Sequence, residues 1–338
     1  MEGISWNTKA AHNLFLLQAR EETPPALVSY MKAIQAFFPR EDFRTFSENE
    51  LFSRLASIGA PLDKEQFLHL AKQTRNPEEL TQRLLLQQKP PPLFSPTYLL
   101  IFELWRRFLP ERRPHALFFD ELDRQIFLYY QDKEAKQELQ QHITSFLNRL
   151  TEERNKGKTA HEARAFLDPY LAHYFDHFFY DYLADLIDAD SCDDAERLLH
   201  VFSPYLWEGL WFDFLFLRIL SAQESPQFST KLHALIEELQ VHRDRELQLA
   251  LLEFMQERQD PTSFLFLVEK STLLLQKEED FLELVKVVQE YYCRMEKKEL
   301  EERLSCLLEK RKGYSLKKSF AKKDPDLQEF IDILGLFR

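Results

Sequence analysis

The sequence between residues 168 and 188 reads DPYLAHYFDHFFYDYLADLID, and it decides the fold class. Asp168 followed by Pro169 is typical of a helix start, because a capping side chain precedes a proline that has no N–H to leave unpaired. Large apolar side chains then recur at helical spacing; they are Leu171, Tyr174, Phe175, Phe178, Phe179, Tyr182, Leu183 and Leu186. The stretch therefore predicts an amphipathic helix over residues 169–188.

Prolines at equivalent positions indicate helix starts along the rest of the chain. Many of the 16 prolines directly follow Ser, Thr, Asp or Asn, and capping boxes such as Ser47 with Glu50 add further helix starts. Together these signals predict about seventeen helices. The six glycines are too scattered for phosphate-cradling loops or two-residue hairpins. The sequence thus predicts an all-α protein of stacked antiparallel helical hairpins, with no sheet.

Two polar breaks divide the 338 residues into three predicted sections. Residues 1–88 form an N-terminal helical bundle, which includes a helix over 24–38. Residues 89–158 begin with a proline strap, KPPPLFSP, which favours an extended polyproline-like backbone, and continue as a middle helical section. Residues 159–338 form an array of helical hairpins, in which a long helical stretch over 278–312 is broken near residue 293.

The C-terminal section has a period of 35 residues between Pro169 and Pro204, and again between Pro226 and Pro261. This is the length of one helical hairpin in a tetratricopeptide-like solenoid. The consensus Trp, Leu-Gly, Tyr and Ala–Phe positions of that family do not recur here. We therefore predict a solenoid-like arrangement and name no family for it.

Cysteine usage and hydropathy bear on the compartment. Cys192, Cys293 and Cys306 are far apart, so neither a disulfide framework nor a cysteine-based zinc site is expected. The N-terminal residues lack the pattern of a secretory signal, and charges interrupt each apolar stretch before it could span a bilayer. The sequence predicts a cytoplasmic protein that is not transmembrane.

The stretch from Phe118 to Asp123 reads FFDELD and resembles the aromatic-plus-acidic motif of class I terpenoid synthases. The resemblance implies an all-α enzyme in which Asp120, Glu121 and Asp123 hold Mg²⁺ for a substrate diphosphate. The family has acidic residues at i, i+1 and i+4, whereas position 124 is Arg in this chain. A metal-dependent enzyme of this kind is the alternative hypothesis.

A second possible metal site lies on the polar face of the predicted helix 169–188. His173, His177 and Asp181 follow one another at intervals of four residues, so they lie one above another on a helix. Imidazole and carboxylate are ligands that suit Zn²⁺. The opposing interpretation is a solvated polar face with no ligand, and under it the protein has no cofactor.

Charge is distributed unevenly along the chain. The net charge is −12, yet residues 310–323 are strongly basic and include Lys317, Lys318, Lys322 and Lys323. These lysines either bind an external acidic partner or neutralise the acidic surface of the chain itself. An amphipathic helix that starts at Asp324-Pro325 favours the second interpretation, because it would dock the segment against the array.

The apolar stretch from Tyr205 to Phe216 contains Trp207 and Trp211. A helix that is apolar all round belongs to a core, whereas an aromatic-lined groove would receive a partner helix. For each possible catalytic motif, the structural interpretation is favoured over the catalytic one. Helical arrays, in turn, offer extended binding faces. We therefore predict a non-catalytic scaffold or adaptor module that binds another protein. Nucleic acid is not the expected partner, because the chain is acidic overall.

Overall fold

The computed structural model describes residues 7–18, 41–85, 94–132, 136–207, 209–257, 260–321 and 323–335. The predicted helix 24–38, most of the predicted proline strap and Lys322 lie outside these residues. The described residues form α-helices and short 3-10 helices but no β-strand, and one isolated bridge joins Lys277 to Ser319. The predicted all-α fold is confirmed for this part of the chain.

Seventeen α-helices lie within the described residues. They are α1 (Thr8–Gln18), α2 (Glu48–Ser57), α3 (Lys64–Lys72), α4 (Pro77–Leu85), α5 (Phe94–Phe108), α6 (His115–Asp132), α7 (Lys136–Asn155), α8 (Ala160–Leu167), α9 (Phe175–Asp188), α10 (Cys192–Phe202), α11 (Gly209–Ala222), α12 (Phe228–His242), α13 (Arg245–Met255), α14 (Pro261–Thr272), α15 (Glu278–Arg294), α16 (Lys298–Lys310) and α17 (Pro325–Leu334).

Several predicted helix starts lie where the capping residues indicate. Ser47, Asp63 and Thr159 form reciprocal capping boxes at the starts of α2, α3 and α8. Asp260 and Asp324 cap α14 and α17, with a proline at the next position in each case. The predicted break near residue 293 is also present, because α15 ends at Arg294 and α16 begins at Lys298.

The sequence Pro-Tyr-Leu occurs twice, and the helices that Asp168-Pro169 and Ser203-Pro204 predict over residues 169–188 and 204–222 begin later than predicted. Residues Asp168–Tyr170 and Ser203–Tyr205 form single 3-10 turns, and the α-helices begin only at Phe175 and Gly209. The reason is a hydrogen bond from the backbone to a distant carboxylate. The N–H of Ala172 donates to Asp123 at 2.9 Å, which keeps it out of a helical hydrogen bond.

The second turn repeats the arrangement of the first. The N–H of Trp207 donates to the carboxylate of Asp176 at 2.7 Å. Asp176 is 1% exposed and also accepts from the buried guanidinium of Arg164 at 2.8 Å. In each turn, a carboxylate from an earlier helix, not the one that directly precedes the turn, ends the 3-10 segment by binding the backbone beyond it. A buried charge supplied by tertiary structure thus overrides the local signal of the proline.

The chain divides into two compact units. Unit 1 comprises residues 1–181 and 202–207, and unit 2 comprises residues 182–201 and 208–338. In unit 1, Trp105 and Phe102 lie in a buried apolar cluster built from α2 to α6. In unit 2, a larger cluster runs through α11 to α17 and includes Tyr291 and Phe330. The three predicted sections and the solenoid-like arrangement stay predictions.

Charges within the apolar stretches predict that no helix spans a membrane. In the part of the chain that the structure describes, no helix combines the length and the apolar character needed to cross a bilayer.

Candidate functional sites

The basic segment is attached to unit 2 through Arg311, whose side chain is only 2% exposed. Its guanidinium donates to both carboxylate oxygens of Glu278, and to Asp324 and Asp326 at 2.7 Å each. The hydrogen bond to Glu278, with those to Asp324 and Asp326, raises the pKa of Arg311 above its ordinary value, although burial opposes this. Arg311 is therefore a fixed positive charge that joins the end of α16 to the starts of α15 and α17.

Aromatic rings surround the same guanidinium. Its central carbon lies 5.1 Å from the ring centroid of Phe281, 5.2 Å from that of Phe320 and 4.9 Å from that of Tyr314. The rings of Phe281 and Phe320 stack with centroids 4.8 Å apart. A guanidinium flanked by aromatic faces gains cation–π attraction that strengthens when water is excluded. These rings hold Arg311 in one position.

Backbone hydrogen bonds fasten residues 311–323, here called the basic loop, to the residues before α15. Phe320 donates its N–H to the carbonyl of Gln276 at 2.8 Å, and Glu278 donates to the carbonyl of Lys318 at 2.8 Å. The isolated bridge between Lys277 and Ser319 lies between these two bonds. The backbone of the basic loop is thus paired on one side with the chain at residues 276–279.

The described lysines of the basic loop face solvent. Lys317, Lys318 and Lys323 are exposed, and none of them has an ion pair with any residue that the structure describes. The ammonium of Lys318 lies 4.4 Å from the ring centroid of Tyr314. By contrast, Lys310 pairs with Glu329 at 2.6 Å. The basic segment therefore has an inward part, centred on Arg311, and an outward part of free lysines.

The two tryptophans of the predicted groove belong to different units. Trp207, in unit 1, is 42% exposed, and its Nε1 donates to Asp168 at 3.1 Å. Trp211, in unit 2, is half-buried against the apolar cluster, and its Nε1 donates to Asp244 at 3.1 Å. Their role in binding a partner stays a prediction.

Asp120 is the most enclosed carboxylate of the predicted acidic motif, with 1% exposure. It accepts from Arg44 at 2.5 Å and from Asn13 at 2.9 Å, and Lys9 lies 3.4 Å away. Burial favours the neutral acid, but the charges of Lys9 and Arg44 and these hydrogen bonds lower the pKa of Asp120 to about 2. Asp120 is therefore an ionised structural centre that joins α6 to the N-terminal helix and to residue 44.

Asp123, one turn further along α6, holds the first Pro-Tyr-Leu turn. Its carboxylate accepts from the N–H groups of Ala172 and His173, and it lies 2.8 Å from the Nδ1 atom of His173. The carboxylate can only accept, so Nδ1–H of His173 donates to it. The Nε2 atom of His173 has no partner among the described residues.

A cavity of about 530 Å³ lies beside these groups in unit 1. Asp120, Asp123 and His173 line it together with Arg44 and Arg124. Arg124 is exposed, and within the described residues it forms no ion pair, including the pair with Asp120 that their spacing would allow. The cavity is lined by charges of both signs. It therefore suits a polar molecule that could form a hydrogen bond with Nε2 of His173.

The other predicted metal ligands point to separate partners. Glu121 lies 3.6 Å from Arg113 and 4.0 Å from His142, and its hydrogen bond raises the pKa of His142. His177 is exposed with its ring against Tyr174, and Asp181 accepts from the hydroxyl of Tyr130 at 2.8 Å. Among the described residues, no three His, Cys, Asp or Glu side chains are grouped so as to hold a metal. The Mg²⁺ or Zn²⁺ site of the alternative hypothesis stays a prediction.

Sequence reasoning did not single out Arg311, Arg44 or Lys9. Arg311 lies inside a run of basic residues, and nothing local distinguishes it from its exposed neighbours. One signal was available: an arginine stands where most of the run is lysine, and only arginine can bind several carboxylates with a planar fork of donors. Arg44 and Lys9 gave no such signal, because their partner is distant in the sequence.

Comparison of the chain with known protein families, with curated proteins and with solved structures found no match.

Proposed function

We propose that this protein is a non-catalytic interaction module whose basic loop binds an acidic surface of a partner protein. One observation carries the proposal: Lys317, Lys318 and Lys323 are exposed and form no ion pair with a described residue, on a loop whose backbone is fastened by Arg311 and by hydrogen bonds. Lysines on a flexible tail would lose more conformational freedom on binding. On this loop the backbone is already ordered, so that part of the entropic cost is reduced.

The charge of the remaining surface favours a protein partner over nucleic acid. The chain carries a net charge of −12, so a long polyanion that passes beyond the basic loop meets repulsion. A nucleic acid needs a basic surface that extends along its backbone. A short acidic patch on a protein needs only the few cations of the basic loop.

The test uses polyglutamate as the probe and replaces Lys317, Lys318 and Lys323 by Gln together. The matched control replaces Lys286, Lys297 and Lys298, which are exposed elsewhere in unit 2, by Gln. Binding is followed by fluorescence anisotropy of labelled polyglutamate. We expect the loop variant to bind about tenfold more weakly, since three exposed charges contribute about 0.5 kcal/mol each. The control should bind like the wild type.

Salt dependence and a second probe complete the test. Binding of the wild type should weaken as salt rises from about 0.05 to 0.3 M, because the screening length shortens. Equal weakening in the loop variant and in the control would contradict the proposal. Tighter binding to duplex DNA than to polyglutamate would also contradict it and would indicate nucleic acid.

We also propose Trp207 as an apolar contact of the module in unit 1. Exposed tryptophans are enriched among the residues that contribute most to interfaces. Once a partner is identified, Trp207→Ala should weaken its binding by about tenfold or more while stability changes little. Unchanged affinity would remove Trp207 from the interface.

A further inference from the structure

A second cavity, of about 380 Å³, lies in unit 1 and collects cationic side chains. Arg75, Arg113 and Arg149 line it, and among the lining residues the structure gives a single carboxylate, that of Glu78. That carboxylate already accepts from the hydroxyl of Tyr98 at 2.8 Å and from the side-chain amide of Asn7 at 3.0 Å. Three guanidinium groups thus converge where one carboxylate is present and is already bound by neutral donors.

The cations of this cavity are poorly compensated by the described residues. Among the described residues Arg149 has no carboxylate within ion-pair distance, and its guanidinium donates to Nδ1 of His115 at 3.1 Å and to the carbonyl of Arg113 at 3.3 Å. Arg75 is exposed and forms no ion pair with a described residue, although its charge helps to lower the pKa of Glu79, while Arg113 is 3.6 Å from Glu121. Burial, opposed by Glu152 and reinforced by the charge of Arg113, lowers the pKa of Arg149. An anion in the cavity would offset the repulsion between the charges of Arg113 and Arg149.

His115 adds a neutral donor. A guanidinium can only donate, so Nδ1 of His115 accepts the bond from Arg149 and the imidazole proton lies on Nε2. Burial, with the nearby charge of Arg149, lowers the pKa of His115 and keeps the ring neutral. The Nε2–H group has no acceptor among the described residues. It is therefore available to a ligand.

Two helices begin at the wall of the cavity, and one of them adds to its positive potential. Asn76, which precedes α4, and Pro114, His115 and Ala116, at the start of α6, all line it. The first N–H groups of a helix have no partner inside the helix, and the helix dipole places partial positive charge there. The start of α6, which has no acidic residue in its first turn, therefore acts in the same direction as the arginines, whereas Glu78 and Glu79 in the first turn of α4 offset the dipole of that helix.

We propose that this cavity binds a phosphate group, either as inorganic phosphate or as a small phosphate monoester, between Arg75, Arg113, Arg149 and His115. A phosphate dianion offers several acceptor oxygens that point in different directions, which matches donors that come from three separate parts of the chain. A monocarboxylate has one charge and a planar pair of oxygens. The ring of Tyr170, 5.6 Å from that of His115, lines the same cavity and suits an aromatic ester.

The experiment compares inorganic phosphate, phenyl phosphate and benzoate as probes in isothermal titration calorimetry at constant ionic strength. We expect saturable binding of at least one phosphate probe with a Kd of about 1 mM or below, and binding of benzoate at least about tenfold weaker. If phenyl phosphate binds more tightly than inorganic phosphate, the site takes an ester; if the two bind equally, it takes free phosphate. Both results support the phosphate site.

Variants locate the binding. Arg75→Gln should weaken phosphate binding by about tenfold, and Arg75→Lys should restore part of it, because the charge is retained without the planar fork. Arg75 is exposed, so these changes leave the fold intact. Arg124→Gln is the matched control, since Arg124 is also exposed and forms no ion pair with a described residue but lines the cavity of about 530 Å³.

Three results would overturn the proposal. They are the absence of saturable binding by either phosphate probe, equal affinity for benzoate, and a loss of affinity in Arg124→Gln that Arg75→Gln does not show. None of them bears on the basic loop, which lies in unit 2, so the two proposals fail independently.

Discussion

Unit 1 contains the buried carboxylate of Asp120 and unit 2 contains the buried guanidinium of Arg311, two charges of opposite sign that organise their surroundings. In unit 1, the carboxylate of Asp120 is held by Arg44 and Lys9. In unit 2, the guanidinium of Arg311 is held by the three carboxylates of Glu278, Asp324 and Asp326. Both centres join segments that are distant in sequence, because the partners of Asp120 lie before residue 45 and Glu278 lies 33 residues before Arg311.

The difference lies in how completely each charge is enclosed. Arg311 has donors for three carboxylates and is flanked by aromatic rings, so water has little access to it. Arg44, the main partner of Asp120, is 20% exposed in its side chain and opens toward a cavity. A buried ion pair that loses one member leaves an uncompensated charge, and the cost is greater where solvent cannot replace the missing partner. The Arg311 centre should therefore be the more sensitive of the two.

The largest expected effect is that of Arg311→Met. This substitution leaves Glu278, which is 1% exposed, without its cationic partner. We expect the free energy of unfolding to fall by about 3–5 kcal/mol, as measured by urea denaturation. The matched control is Lys312→Met at the exposed neighbouring position, where the one ion pair among the described residues is with Glu309 and the loss should be about 0.5 kcal/mol or less.

The same pair of variants can be followed by limited proteolysis. If Arg311 fastens the basic loop, trypsin should cut the Arg311→Met protein within residues 312–323 faster than it cuts the control. Equal stability and equal cleavage in the two variants would show that Arg311 is not the centre described here.

The next effect is that of Asp120→Asn, which keeps the shape of the side chain and removes its charge. Lys9 and Arg44 then remain beside a neutral amide, and we expect a loss of about 2–3 kcal/mol in the free energy of unfolding. Glu65→Gln, at an exposed position in unit 1, serves as the control and should change stability by about 0.5 kcal/mol or less. A loss larger than that of Arg311→Met would reverse the comparison between the two centres.

Acid should remove the contribution of Asp120 in a defined pH range. Its pKa in the folded protein is lowered from 3.8 to about 2, so the folded state favours the ionised form. The resulting stabilisation, roughly 2 kcal/mol, is fully present above pH 4 and is lost as the pH falls toward 2. The difference in stability between the wild type and Asp120→Asn should accordingly shrink across this range. A difference that stays constant down to pH 2 would contradict the assigned ionisation.

The smallest effect is expected from Asp326→Asn. Asp326 is 22% exposed in its side chain, and Arg311 keeps Glu278 and Asp324 as partners when the charge at 326 is removed. We expect a loss of about 1 kcal/mol or less in the free energy of unfolding, measured as for the other variants. A loss as large as that of Arg311→Met would mean that the three carboxylates act as one inseparable network.

Local signals in the sequence were sufficient for the all-α fold class and for several helix starts. A capping residue followed by proline marks the true starts of α14 at Asp260 and of α17 at Asp324. The capping side chain, the backbone N–H that it binds and the proline all lie within one helical turn there. The same signal fails at Pro169 and Pro204, where buried carboxylates from earlier helices bind the backbone. A pattern read within a few residues cannot include a partner that lies 31 residues away, as Asp176 does from Trp207.

The candidate sites were predictable to a smaller extent. The lysines at 317, 318 and 323 could be proposed as surface charges because a basic run is visible in the sequence. The cavity that contains Arg75, Arg113 and Arg149 could not, because its cations are spread over 75 positions and only folding brings them together. Asp120 was predicted as a metal ligand because it lies in an acidic motif. The sequence does not reveal that Lys9 and Arg44, distant along the chain, already pair with its carboxylate.

The two Pro-Tyr-Leu turns bear on how the chain is made in the cell. Asp123 leaves the ribosome before Ala172, and Asp176 leaves it before Trp207, so each carboxylate is already present when the backbone that it binds emerges. Domains and their parts fold as synthesis proceeds from the N-terminus. Each turn can therefore close as it appears, against a helix already made, and the order of translation matches the order of assembly along this part of the molecule.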